Sequence, residues 1–490
     1  MSARGEGGAD GGAGAARRAA VVVVANSPGE ISGWARPVVA RLRASEAGIA
    51  PAFDGLAVVV VVPPCPFASG RETGVAAAIP GVDAVVAPSE YVKYALLGVV
   101  PKGLALVAGA PGIVLHLGGD PMHSALLARR LGYPAVAYSD RTASFIGSFA
   151  RFMVEDARVE GKLRKKGVPA ERIDIVGNLM IDGVSAGLDR DAARAALGVG
   201  LEAPLVCLMP GSRRQQISHA MPFFLKVAVI VRKFRGDAEF IAILSPYVSP
   251  SMVGAALAAA SEGGREAQGL KSPRAAWRLE GAGGRLVAAA APARPGPGPG
   301  PGPGPGPAPA LAPGPGSGPE PEPAYVIETD EGVPVKLVAG ARYDAMAASD
   351  VAVTMPGTVT AELAFLGVPT VVAVPLNVPE EIPLPGLPGL IGGLPVVGRH
   401  LKRAAVQKAL ERIEFAAIPN KRQRRMITPE VRGVLSAQDV GIKVLELLQD
   451  ARVRGRIAVE LRQAMGRPGA SDRVAAVVLE TLMSTGGRRR

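Results

Sequence analysis

Short apolar runs separated by amphipathic stretches constrain this chain more than any other feature. Val21–Ala25 precedes a helical pattern from about Trp34, Leu56–Val62 precedes one around Ser69–Ile79, and Ile113–Leu117 precedes one around Ser124–Leu131. The runs are apolar at nearly every position instead of every second one. That is the pattern of strands buried on both faces, in parallel sheets covered by crossover helices. Strands at Ala135–Tyr138, Phe152–Val154 and Ile173–Val176 complete a first doubly wound domain over 21–185. Past a hinge-like segment, Ser185–Glu202, the pattern restarts with a strand at Leu205–Met209, a helix near His219–Phe234 and a strand at Glu239–Leu244. It resumes with Lys336–Val338, Tyr343–Ala348, Val351–Met355, Val359–Leu366 and Thr370–Val374. The prediction is an α/β protein with two doubly wound, Rossmann-like domains, the second spanning 200–253 and 325–450. A length of 490 residues, beyond what one core supports, agrees.

Residues 254–324 lose strand periodicity and include a Pro-Gly repeat over 295–315, which can bury almost nothing. They read as a disordered, low-complexity insertion, a surface excursion that leaves the core intact. Residues 1–20 are rich in Gly, Ala and Arg and are expected to be disordered, and 451–490 read as C-terminal helices with a basic tail.

The formal charge of +12 points to anionic partners, phosphates or a membrane surface. Nucleic acid is not expected, because zinc-ligand spacing, basic and aromatic interleaving and a recognition-helix pattern are all missing. Cys65 and Cys207 read as buried thiols of a reduced compartment, and neither a metal site nor a disulfide framework follows from them. The longest uncharged, hydrophobic-looking stretch, Ile382–Gly398, carries four prolines and cannot be a spanning helix.

Open α/β sheets bind ligands at the carboxyl ends of their strands, which directs attention to four loops. In Asn26–Gly33 two glycines and Ser32 allow close backbone approach, and Glu30 brings a carboxylate; the alternative is a plain Pro-Gly turn. In Gly118–His123, Asp120 is a candidate base for an acceptor hydroxyl, with His123 one turn on. Spacing alone favours Asp120 as a helix cap before Pro121. In Met209–Gln216, backbone amides freed by Gly211, the Ser212 hydroxyl and the Arg213 guanidinium would converge on a diphosphate, with Gln216 beside them. In Pro356–Thr358, Gly357 and Thr358 are candidate phosphate donors, and Glu362, one turn later, a candidate acceptor for ribose hydroxyls.

At these residues the chain resembles the lipid-A-disaccharide synthase family. The resemblance rests on SPGEISG at Ser27–Gly33, PGSR at Pro210–Arg213, YDAMAASDVAVTMPGTVTAELAFLGVPTVV at Tyr343–Val372, and IPN at Ile418–Asn420 followed by Pro429-Glu430. It covers about Val21–Val253 and Tyr325–Leu482. It implies a GT-B fold, two Rossmann-like domains facing each other across a cleft, and an inverting glycosyltransferase. A UDP-sugar would be the donor, held by the C-terminal domain, and a glycolipid the acceptor, held by the N-terminal one. Glu30, Asp120, Arg213, Glu362 and Asn420 then fall on or beside functional positions, with Asp120 as base. Trp34 stands where the family carries an acidic residue, and Tyr138–Phe149 lacks the family's aromatic segment, so the likeness is closer to the divergent branch of oxygenic phototrophs. No cofactor beyond the UDP-sugar is implied, and no metal.

Two other classes stay open: a GT-B UDP-sugar epimerase and a non-catalytic scaffold. An acyl-bearing acceptor has to be met at an anionic membrane surface, for which Tyr91–Leu106, with Lys93 and Lys102, and Ile382–Gly398 are candidate contacts. Peripheral association on the cytoplasmic or stromal side is the corresponding expectation, and the Pro-Gly insertion hints at a plastid protein of an alga.

Overall fold

In the computed structural model, residues 18–50, 52–65, 68–139, 144–267, 281–288, 325–340, 342–375 and 414–486 are described. The chain divides into two compact units, 1–185 with 465–490 and 186–464.

The first unit is built on a seven-stranded sheet of order β3-β2-β1-β4-β5-β6-β7. Its strands are β1 Arg18–Val24, β2 Gly55–Val61, β3 Ala84–Val86, β4 Gly112–His116, β5 Ala135–Ser139, β6 Arg151–Val154 and β7 Ile173–Ile175. Every pairing is parallel. Side chains alternate across a strand, and both alternations of β1 are buried. Val21 and Val23 enter one core with Val58, Val60, Ile113 and Leu115. Val22 and Val24 enter the opposite one with Val59, Val61, Val114, Tyr91 and Leu127. The every-position apolar runs are therefore those of a sheet covered on both sides. Part of the first cover comes from the far end of the chain, where Val474, Val478 and Leu482 on the Ala470–Gly486 helix are fully buried.

The second unit carries an eight-stranded sheet of order β10-β11-β12-β9-β8-β13-β14-β15. Its strands are β8 Leu205–Met209, β9 Glu239–Ile243, β10 Gly284–Ala288, β11 Tyr325–Thr329, β12 Pro334–Val338, β13 Val351–Thr354, β14 Thr370–Pro375 and β15 Glu430–Gly433. The six strands from β12 to β15 pair in parallel, and β10 and β11 add an antiparallel edge. The Ala437–Gln449 helix packs on Arg214–Phe234 so closely that a Cβ at Gly441 would stand 3.0 Å from Ile230.

Several boundaries differ from the sequence reading. β1 begins at Arg18, inside the stretch read as a disordered N-terminus. The Pro250–Ala267 helix runs into the expected insertion, and Gly284–Ala288 within it is a strand. A five-residue strand that opens on a glycine pair has little periodicity of its own, and its pairing with β11, distant in sequence, completes it. The C-terminal helices do not form one segment, since the Ala451–Met465 helix lies in the second unit as far as Ala464 and the Ala470–Gly486 helix lies in the first. Cys65 is only half-buried, whereas Cys207 is buried, and neither forms a disulfide. The Ile382–Gly398 stretch and the Pro-Gly repeat lie outside the described residues.

Candidate functional sites at two topological switch points

In the first unit β1 and β4 lie side by side, with Val24 opposite His116. The chain builds β2 and β3 on one side of β1 and β4 to β7 on the other, so the loops after β1 and β4 meet where strand order reverses. Glu30 joins them. Its Oε2 accepts from the amides of Asn26 and Ser27 at 3.0 Å each, and its Oε1 accepts from the Gly119 amide at 3.2 Å. A side chain at residue 118 is excluded, because a Cβ on Gly118 would stand 2.0 Å from Glu30 Cδ. Just beyond, Ile31–Ala35 forms a turn of π-helix, a bulge that recurs near functional sites. Trp34, on that turn, packs edge-on to Tyr138 at 5.2 Å, and its buried Nε1 is without a hydrogen-bond partner among the described residues.

Asp120 caps the Pro121–Leu131 helix, its Oδ1 accepting from the Met122 amide at 2.9 Å. The residue is exposed, and its Oδ2 has no hydrogen bond among the described residues. His123 Nδ1 lies 2.8 Å from the Tyr91 hydroxyl, and behind this pair His116 Nδ1 lies 2.8 Å from Ser124 Oγ. Burial lowers both imidazoles against the opposing pull of Asp120, and His116, with His123 also disfavouring its charge, is pushed down to about 4. Burial pushes the Tyr91 phenol up to about 12. All three groups are therefore neutral at neutral pH.

The second unit repeats the arrangement. Met209 at the end of β8 stands opposite Thr354 at the end of β13, and strand order reverses between these two strands. After β8, Gly211 adopts φ +114°, where a Cβ would meet Gln216 Oε1 at 2.7 Å. That same oxygen accepts from the Ser212 amide at 3.1 Å, so Gln216 closes the loop on itself. Arg213 is the N-cap of the 21-residue Arg214–Phe234 helix, whose first amides lack intrahelical acceptors and favour an anion. After β13, Gly357 and Thr358 are exposed, and a Cβ at Gly357 would touch nothing. Glu362 is 6% exposed. Its Oε1 accepts from Arg342 at 2.7 Å and from the Tyr343 hydroxyl at 3.4 Å. Arg342 is itself held over the Tyr343 ring, 4.4 Å from the centroid. Glu362 Oε2 has no partner among the described residues, so the carboxylate is anchored on one side and open on the other.

Curated proteins named lipid-A-disaccharide synthase align over most of the chain, 26% identical over 327 residues in Thiobacillus denitrificans and 22% over 311 in Syntrophus aciditrophicus. The chain is similar to lipid-A-disaccharide synthases. These alignments cover 65% and 63% of this chain but only 60% and 57% of the synthases, so the chain spans about three fifths of the relatives it matches. A synthase from Pseudomonas fluorescens is 41% identical over 86 residues, which is 18% of this chain and 21% of that one. No family model matches. Among solved structures, a UDP-GlcNAc 2-epimerase from Methanocaldococcus jannaschii aligns with 94% of this chain and 99% of its own at 10% identity and a TM-score of 0.48.

Of the residues singled out in the four loops, the structure brings Glu30, Asp120 and His123 together in the first unit. In the second, Gly211, Ser212, Arg213 and Gln216 stand at the end of β8, and Gly357, Thr358 and Glu362 at the adjacent end of β13. Asn420 requires a correction as a ligand-binding residue. It is fully buried, its Nδ2 donates to Thr428 O and Glu430 Oε1 at 2.8 Å each, and its Oδ1 accepts from the Ile427 and Thr428 amides. Four bonds exhaust a carboxamide, so Asn420 ties its own loop. Glu30, with three backbone amides, holds loops together in the same way. Sequence reasoning did not place Tyr91, His116, Ser124, Arg342 or Tyr343 at these sites; His116 and Ser124 lie on elements already singled out, while Tyr91, Arg342 and Tyr343 reach the sites from other helices, a contact that no local sequence signal announces. Among the described residues no helix is long and apolar enough to cross a membrane, and no His, Cys, Asp and Glu cluster is placed to hold a metal.

Proposed function

We propose that the chain is an inverting glycosyltransferase that binds a UDP-sugar at the β8/β13 switch point and transfers the sugar to a hydroxyl of a glycolipid held at the β1/β4 switch point. The observation that carries this reading is Glu362, anchored through one oxygen by Arg342 and open through the other, beside two glycine loops at a reversal of strand order. Its open oxygen suits a ribose diol. The amides around Gly211 and Gly357, the Arg213 guanidinium and the start of the Arg214–Phe234 helix suit a diphosphate. In the reaction Asp120, through its open Oδ2, takes the proton of the acceptor hydroxyl. The hydroxyl oxygen attacks the anomeric carbon, the bond from that carbon to the UDP oxygen breaks, and UDP leaves with the electron pair, its charge met by Arg213 and the amides.

Calorimetry with UDP tests the donor site. Wild-type protein is expected to bind, while Arg213→Ala and Glu362→Gln each weaken binding by about 10-fold or more, the cost of a lost hydrogen bond to a charged group. Absence of UDP binding by the wild type would remove the reading.

The acceptor's acyl chains call for a lipid surface, and we propose that the first unit meets it peripherally. Leu96 and Leu97 are each 75% exposed, Val99, Val100 and Leu106 are more than half exposed, and Lys93 and Lys102 stand exposed along the same segment. Apolar side chains flanked by lysine suit an anionic interface. Flotation with anionic vesicles should carry the wild type up and leave Leu96→Ser/Leu97→Ser at the bottom; equal flotation of both would reject this surface.

A further inference from the structure

Tyr91 projects from the Pro88–Leu97 helix and is 3% exposed, and its ring stands edge-on to His123 at 5.2 Å between centroids. Among the described residues its hydroxyl makes one hydrogen bond, the 2.8 Å contact to His123 Nδ1. A buried hydroxyl left without an acceptor costs roughly 1–3 kcal/mol, so the phenol proton belongs on the line to Nδ1. A neutral imidazole has one donor and one acceptor nitrogen. If Nδ1 accepts, the ring proton is on Nε2, which has no partner among the described residues on a half-exposed side chain.

We propose that Tyr91 is a positioning residue that locks His123 in the Nε2–H tautomer, so that His123 serves the substrate at the β1/β4 switch point as a hydrogen-bond donor and leaves the base role to Asp120. The donor role rests on the transferase reading; the tautomer does not. Nearby groups favour the same state. Burial keeps the imidazole from charging, the neutral His116 ring lies behind it, and the phenol, facing Arg130 and Asp120, keeps its proton. An oxygen of the bound acceptor, whether hydroxyl or phosphate, is the partner that Nε2–H suits. Asp120 and His123 then divide the chemistry, one taking the proton of the attacking hydroxyl and the other holding an oxygen in place.

The test is long-range proton–nitrogen NMR on the full chain labelled with 15N-histidine, the resonance being assigned by its loss in His123→Gln. The expected wild-type spectrum at neutral pH has a pyridine-type Nδ1 and a pyrrole-type Nε2. In Tyr91→Phe, with folding checked by circular dichroism, the two nitrogens should move toward the averaged shifts of exchanging tautomers. A pyrrole-type Nδ1 in the wild type overturns the proposal whether or not the variant folds. In a transfer assay with UDP-sugar and a phosphorylated glycolipid, His123→Ala should lose ~100-fold, and His123→Gln, which keeps an N–H where Nε2 stood, should recover ~10-fold of that loss. Equal loss in both variants overturns the donor role while the transferase reading survives. A wild type with no turnover sinks that reading and the donor role together, and the tautomer is still decided by the spectrum.

Discussion

At the scale of single residues, the first unit's site depends on a few groups with no spare room. Gly118→Ala drives a Cβ into Glu30, whose carboxylate is held in place by three amide partners. A loss of about 1–3 kcal/mol is expected in denaturant unfolding of the first unit, the usual range for overpacking. His116 makes stability depend on pH. Its folded-state value, pushed down to about 4 by burial, lies below the 6.5 of the unfolded chain. Between those values the unfolded state binds the extra proton. Stability therefore falls as pH drops through this window, by about 3 kcal/mol in total, and this contribution levels off below it. Unfolding midpoints measured across the window should show the slope, and His116→Gln should flatten it.

At the scale of elements, anchoring is what each helix start contributes. Arg342 pairs with a carboxylate that is almost wholly buried, so Arg342→Ala strands an uncompensated charge at the start of the Val359–Leu366 helix. About 3–5 kcal/mol should be lost from the second unit. Adding Glu362→Gln should cost much less than the two single losses summed, a non-additivity that a double-mutant cycle measures. The same scale shows what sequence reveals. Strands such as β1 and β8 are legible because burial on both faces demands apolar residues throughout, and the candidate loops are legible because they follow those strands. β10 is not, because a short edge strand owes its existence to β11. Nor could Asn420 be read correctly, since a carboxamide that ties a loop and one that binds a ligand look alike until its four bonds are seen. Tyr91 and Arg342 escape for a related reason: each acts on a residue from a different element, and nothing local in the sequence announces the pairing.

At the scale of the whole molecule, two compact units with separate cores predict two unfolding transitions. If the nucleotide site is in the second unit, UDP at 100 times its dissociation constant adds about 2.7 kcal/mol to that unit alone. Scanning calorimetry should therefore show one transition moving with UDP and one standing still. Truncation after Met465 removes Val474, Val478 and Leu482 from the first unit's core and should abolish or lower its transition while UDP binding persists.

The β10–β11 hairpin brings Ala288 opposite Tyr325, so the chain leaves the sheet and returns to it at one point. Between those two residues the sequence carries the Pro-Gly repeat. Doubling a loop's length costs only about 0.6 kcal/mol in closure entropy. Insertions between Ala288 and Tyr325 should therefore leave β10 and β11 paired and the second unit's unfolding transition nearly unmoved, which scanning calorimetry of a lengthened variant would show.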